Sequence, residues 1–239
     1  MEIVISNVSV SYGKKDNRVP VLEGINVLLL NKKFNVILGP SGCGKTTLLK
    51  AVMGIIDYDG EILFDGISSK ELTLAEKNLS YISQDIVLYP HMTIFDNIAF
   101  PLKSIKASRD EIIERVYDIA AKLELTDCLS RKPKHLSGGQ QQKVAFARAL
   151  VKKPNICLFD EPFSNLDIPT RTEARHFLKK LLNEMGITVI YVTHDLEEAM
   201  SLADKIIILK DKGVEFDGSS EELLESNNEL LDYLHENIH

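Results

Sequence analysis

No stretch of this sequence approaches the roughly 18 or more consecutive apolar residues that a membrane-spanning helix needs. Its first residues, MEIVISNVSVSY, also lack the basic-then-apolar layout of a signal peptide, and the two absences together predict a soluble chain. Cysteine is scarce. Cys43, Cys128 and Cys157 stand far apart without CxxC spacing, which argues against a disulfide framework or a zinc site and fits a reducing, cytoplasmic compartment. Positive charge is not in excess either: 28 Lys and Arg face 35 Asp and Glu, a formal net charge of -7, so no nucleic-acid partner is expected. Internal repeats, low-complexity tracts and long linkers are missing. What remains is 239 residues, 44% hydrophobic and 26% charged, which suits one large α/β domain or a core with a subdomain.

Residues 3–10 read as an edge strand, and 34–38, Phe-Asn-Val-Ile-Leu, as a strand that runs into a glycine loop. A helix is predicted over 46–53, stopped by Gly54, and another strand over 61–64, turned by Asp65-Gly66. From about Thr93 to Leu150 the pattern becomes helical, with Ile112, Val116, Ile119 and Leu123 spaced by fours and threes. Aliphatic runs at 156–159, 188–192 and 206–209 then alternate with helices, as buried parallel strands of a doubly wound sheet do. Ser219 followed by Ser220, Glu221 and Glu222 reads as the capped start of a terminal helix.

The chemistry-bearing motifs sit on this frame. Gly39-Pro40-Ser41-Gly42-Cys43-Gly44-Lys45-Thr46 is a complete phosphate-loop pattern between a predicted strand and a predicted helix. Its glycines let backbone N–H groups and the helix N-terminus face phosphate oxygens, Lys45 neutralises the β/γ charge of ATP, and the Thr46 hydroxyl faces Mg²⁺. The strand at 156–159 delivers Asp160 and Glu161 at its C-terminal end, where ligands of open α/β sheets collect. Asp160 suits Mg²⁺, and Glu161 suits the general base that polarises an attacking water.

Leu136-Ser137-Gly138-Gly139-Gln140 stands just before a helix predicted over 141–150, and Ser137, Gly138 and Gly139 there offer a second anion site. With this pentapeptide the chain resembles the ATP-binding cassette family along essentially its whole length, since LSGGQ is that family's signature and the other two motifs are its Walker A and Walker B. The resemblance implies a P-loop NTPase core with a mainly parallel sheet, an N-terminal antiparallel β part and an inserted helical subdomain. It implies one nucleotide-binding domain over 1–239, with the ATPase core at 1–88 and 151–239 and the signature subdomain at about 89–150. Two such chains, a homodimer or a paired cassette, would meet so that the signature of one closes over the ATP held by the other. Gln140 ends that signature, and Thr47 follows Thr46 on the phosphate-loop helix.

The same resemblance assigns the smaller motifs. Gln84 matches the Q-loop glutamine that touches Mg²⁺ and links core to subdomain, and His194 matches the switch histidine that contacts γ-phosphate and orients Glu161 and water. Tyr12 matches the aromatic that stacks on adenine. Asp167, in Ser164-Asn165-Leu166-Asp167, matches the D-loop that communicates across the dimer. Cys43 is loop filler by this reading.

Cassette ATPases also serve nucleic-acid repair and translation, and a soluble ATPase of that kind is the alternative. Chromosome-type members insert long coiled coils between phosphate loop and signature, and ribosome-associated ones carry two cassettes; neither feature is present. The stretch 85–102 is similar to the membrane-subunit-facing segment of bacterial importers of sugars and related solutes, with anion, metal, thiamine-like and polyamine import left open, and Ile94, Phe95, Asp96 and Phe100 are expected near a groove for a permease helix. The expected partners are therefore integral membrane permease subunits and, indirectly, an extracytoplasmic solute-binding protein. The expected location is the inner face of the cell membrane, as a peripheral subunit. Many such importers carry a further C-terminal regulatory domain; the sequence ends about thirty residues after its last strong strand, so that domain is expected to be absent or removed.

Overall fold

In the computed structural model, which describes residues 1–13, 17–85, 87–164 and 167–226, the aliphatic runs become strands whose alternate side chains feed two different cores. The N-terminal strands are β1 (Ile3–Tyr12), β2 (Val19–Leu29) and β3 (Phe34–Leu38), followed by helix α1 (Lys45–Met53). Next come β4 (Asp59–Phe64), β5 (Ile67–Ser68), α2 (Leu74–Lys77) and β6 (Leu79–Ile82). Three helices follow, α3 (Ile94–Ser104), α4 (Arg109–Lys122) and α5 (Gly138–Leu150), with short 3-10 turns at Thr126–Cys128 and Pro133–His135 between the last two. The chain then returns through β7 (Ile156–Asp160), α6 (Ile168–Glu184), β8 (Thr188–Thr193), α7 (Leu196–Leu202), β9 (Lys205–Lys210), β10 (Gly213–Gly218) and α8 (Ser220–Leu224).

One sheet has six strands in the order β10-β9-β3-β8-β7-β6, parallel throughout except for the β10–β9 hairpin. Because side chains alternate along a strand, Cys157 and Phe159 enter the core shared with α3, α4 and α5, while Ile156 and Leu158 enter the core shared with α1 and the N-terminal strands. Each fully buried aliphatic side chain in these layers contributes about 1.5–3 kcal/mol relative to exposure. A one-residue slip of β7 would exchange its two faces and move Asp160 off the α1 side.

The second sheet is antiparallel, in the order β2-β1-β4-β5. Residues 3–10 are therefore not an edge strand, as the sequence suggests. β1 lies between β2 and β4, and Ile3, Ile5, Val8 and Val10 are buried. The partner that covers it, β2, lies in a stretch whose alternation is broken by Pro20 and Gly24. The edge of the parallel sheet is instead β6. Helix α5 starts at Gly138, three residues earlier than the sequence pattern suggests, because Ser137 caps it and both signature glycines take up helical conformation. Of the D-loop, Asn165 and Leu166 lie outside the described residues, as does the expected continuation of the terminal helix beyond 226.

Candidate nucleotide site

The phosphate loop leaves β3 at its C-terminal end and enters α1 at Lys45. Gly44, the N-cap, has φ 107, a left-handed conformation with no side-chain cap, so the first N–H groups of α1 face outward without an internal acceptor from a cap. Every other α-helix among the described residues has a side-chain N-cap: Thr73, Thr93, Ser108, Ser137, Asp167, Asp195 and Ser219. A Cβ on Gly44 would come within 2.7 Å of Leu22, and one on Gly39 within 2.5 Å of the Leu209 carbonyl oxygen. Ser41 and Gly42 are exposed at the tip of the loop.

Lys45 is buried, and its Nζ donates to the carbonyl oxygens of Gly39 at 2.7 Å and Pro40 at 3.0 Å. Glu161 Oε1 stands 3.9 Å from the same Nζ. Glu161 follows β7 with φ 48, a left-handed conformation that costs a side-chain-bearing residue about 1–3 kcal/mol. Its N–H donates to the Val192 carbonyl, which fixes the turn. His194, just past β8, brings Nδ1 to 2.8 Å from Glu161 Oε2, without the alignment of a hydrogen bond. The histidine side chain is 39% exposed and the glutamate 18%, so the pair sits at the mouth of the site.

Asp160 is 7% exposed, and both of its carboxylate oxygens accept hydroxyl donors: Thr46 Oγ1 at 3.0 Å on Oδ1 and Tyr81 Oη at 3.0 Å on Oδ2. Burial, with the Asp160 charge adding to it, pushes the Tyr81 phenol well above its ordinary range. The donors suit Mg²⁺. This hard cation takes oxygen ligands, usually one or two carboxylates with phosphate oxygens and water, and a hydroxyl beside one carboxylate is such a partial set. No group of three or more His, Cys, Asp or Glu side chains converges among the described residues, so a metal held wholly by protein side chains of those types has no seat there.

The other residues singled out in the sequence are placed as follows. Tyr12 ends β1, is 43% exposed, and has its hydroxyl 3.4 Å from that of Thr47 on α1, which sets its ring beside the loop. Gln84 is exposed, two residues beyond β6, on the same side of the sheet edge as the end of β7. Cys43 is partly buried, and burial raises its thiol pKa against the lowering influence of Lys45. Asp167 caps α6, accepting from the N–H of Thr170 at 3.1 Å, a bond that holds its carboxyl below the usual range.

The signature lies apart from this cluster. Ser137 Oγ accepts from the N–H of Gln140 at 3.3 Å, and Gln140 Oε1 accepts from the N–H of Ser137 at 3.1 Å, a reciprocal capping box. Open space surrounds Gly138 and Gly139, where an added Cβ would meet nothing within 4 Å. Buried Gln142, one turn further on, donates to the carbonyl of Pro162 at 2.7 Å and ties the signature helix to the turn after Glu161.

Of the four groove residues expected from the sequence, Phe100 is the one that lines a groove, and Ile94 is taken by the core. Asp96 is held by Lys103 at 2.7 Å and by Thr93. Phe95 packs partly against the core, whereas Phe100 does line a groove of about 530 Å³ with Val87, Tyr89, Ile105 and Arg148. Tyr81 carried no signal in the sequence, because its contact with Asp160 spans 79 residues and joins two separate strands.

Residues 22–164 match the family profile of the ABC transporter. A spermidine/putrescine import ATP-binding protein of Hahella chejuensis is 42% identical over 219 residues, covering 91% of this chain and 60% of that protein. An sn-glycerol-3-phosphate import ATP-binding protein of Brucella abortus is 40% identical over 225 residues, covering 94% of this chain and 63% of that protein. The chain thus spans about three fifths of the length of these curated relatives. A solved ATP-binding cassette, dimeric in a post-hydrolysis state and bound to ADP and Pi, superposes with a TM-score of 0.78 at 33% identity, covering 91% of this chain and 98% of that one. No helix among the described residues is long and apolar enough to cross a membrane. With a family match that spans the phosphate loop, the signature helix and the acidic strand end, the chain belongs to the ABC transporter family.

Proposed function

We propose that this chain is the ATP-hydrolysing subunit of a solute importer, working as a pair of cassettes against a membrane permease. The observation that carries the reading is Glu161, on a left-handed backbone, with its carboxylate 2.8 Å from His194 Nδ1 and 3.9 Å from Lys45 Nζ at the mouth of an uncapped helix N-terminus. The α1 N–H groups and Lys45 bind the β- and γ-phosphates, and Tyr12 covers the adenine. Glu161 takes a proton from the attacking water, and His194 holds the carboxylate and the γ-phosphate in register. Thr46, Asp160 and Gln84 would hold Mg²⁺, which neutralises charge on the phosphate oxygens.

Ser137, Gly138, Gly139 and Gln140 close over the γ-phosphate held by the paired chain, while Asp167 carries contact between the two. The subdomain at about 89–150 turns against the ATPase core as ATP binds and leaves. A short permease helix sits in the groove of Val87, Tyr89, Phe100 and Ile105, where three of the four side chains are well exposed. The import roles in the names of the polyamine and glycerol-phosphate relatives support import over repair or translation. The chain then works on the cytoplasmic face of the membrane, and an extracytoplasmic solute-binding protein supplies the cargo.

Gentle-detergent purification of the tagged chain from its native membranes tests this reading. A co-eluting multi-span protein that raises the ATPase rate is expected; ribosomal or DNA-repair partners with no membrane protein would contradict it.

A further inference from the structure

Asp160 is braced from two sides, and only one of them is the phosphate loop. In the parallel pairing of β6 with β7, Tyr81 lies beside Leu158, and side-chain alternation puts Tyr81, Leu158 and Asp160 on one face of the sheet. β6 is the edge strand, so Tyr81 has no further strand beyond it among the described residues and is 38% exposed. Its hydroxyl reaches inward to Asp160 Oδ2 at 3.0 Å, while Thr46 Oγ1 occupies Oδ1 at the same distance. The terminal torsion of an aspartate is broad, and among the described residues these two hydroxyls are the side-chain hydrogen-bond donors to the carboxylate, so they set its rotation. Thr46 must turn its proton away to offer a lone pair to a cation, whereas Tyr81 lies behind the carboxylate and can keep its bond.

We propose that Tyr81 is a positioning residue for the divalent cation: its hydroxyl holds Asp160 Oδ2 so that Oδ1 stays aimed at the Thr46 side of the nucleotide. The proposal rests on the reading that Asp160 and Thr46 hold Mg²⁺ beside ATP. Outer partners of metal ligands act this way in general, and losing one costs about 10-fold or more in metal affinity.

The test compares the parent chain with Tyr81→Phe, which keeps the ring and removes the hydroxyl, and with Tyr81→Leu, which removes both. Affinity for a fluorescent ATP analogue is measured in EDTA and across a Mg²⁺ titration, and Mn²⁺ bound beside ATP is followed by electron paramagnetic resonance. Unchanged affinity in EDTA with the cation midpoint raised about 10-fold in both variants is the expected result. A parental midpoint in Tyr81→Phe would overturn the proposal, as would a shift confined to Tyr81→Leu, which marks a packing role. A parent chain that binds no nucleotide at all would instead sink the nucleotide-site reading, and this proposal with it.

Discussion

The two anion-facing helix starts of this molecule are built in opposite ways. At the phosphate loop, α1 has no side-chain cap, Gly39 and Gly44 are hemmed in by close neighbours, Lys45 stands 3.9 Å from Glu161, and Asp160 is buried beside Thr46. At the signature, α5 is sealed by a capping box, its glycines face open space, and the carboxylates nearby, Glu124 and Glu173, line a cavity with Ser137, Gly139 and Gln140 rather than standing in a buried ion cluster. The first is a site waiting for a ligand. On the proposed function the second would meet another surface, so that one chain would hold the parts of two half-sites rather than one complete site.

The largest effect that separates them belongs to Lys45→Ala. Loss of charge-assisted bonds to phosphate should cut ATP affinity about 100-fold by calorimetry, whereas no single residue of the signature should change the affinity of an isolated chain. Next, the same glycine-to-alanine change should act differently at the two helix starts. Gly44→Ala meets Leu22 at 2.7 Å in a left-handed conformation and should cost about 1–3 kcal/mol in urea unfolding. Gly139→Ala, with nothing within 4 Å of the added Cβ, should leave unfolding unchanged yet lower the ATPase rate about 100-fold if, as proposed, the paired chain's phosphate approaches there. Equal stability losses at both positions would erase the contrast.

A smaller difference comes from Ser137→Ala, which opens the capping box and should destabilise the fold by about 1 kcal/mol, read as an earlier urea midpoint. The smallest concerns dryness. Burial raises the Cys43 thiol above its ordinary pKa, so at pH 8 less of it is thiolate than in a free cysteine. Alkylation by iodoacetamide should be slow at that pH, speed up as pH rises past the usual thiol range, and fall further when ATP fills the loop.

Much of the phosphate-loop half was legible because its residues are contiguous: a strand, a glycine loop and a helix follow one another from Phe34 to Met53. The acidic strand end was legible for the same reason, as four apolar residues, Ile156 to Phe159, led directly to Asp160 and Glu161. The antiparallel sheet was harder. β2 hides its alternation behind Pro20 and Gly24, and without its partner visible, β1 looked like an edge. Tyr81 could not be found from spacing, since it reaches Asp160 only after β6 and β7 pair, and Ile94 looked available to a partner although the core takes its side chain entirely. Local pattern reports elements; it does not report which neighbour covers them.

The measurement closest to the central claim is sedimentation of Glu161→Gln at micromolar concentration with saturating ATP and Mg²⁺, alone and with Gly139→Asp added. Glutamine keeps the size of Glu161 but cannot act as a general base, so ATP persists and holds the pair together. A dimer for Glu161→Gln that reverts to monomer, still carrying ATP, when Gly139→Asp is added is the predicted result. A monomer in the first case, or a dimer indifferent to Gly139→Asp, would contradict the account of two half-sites completed across a pair.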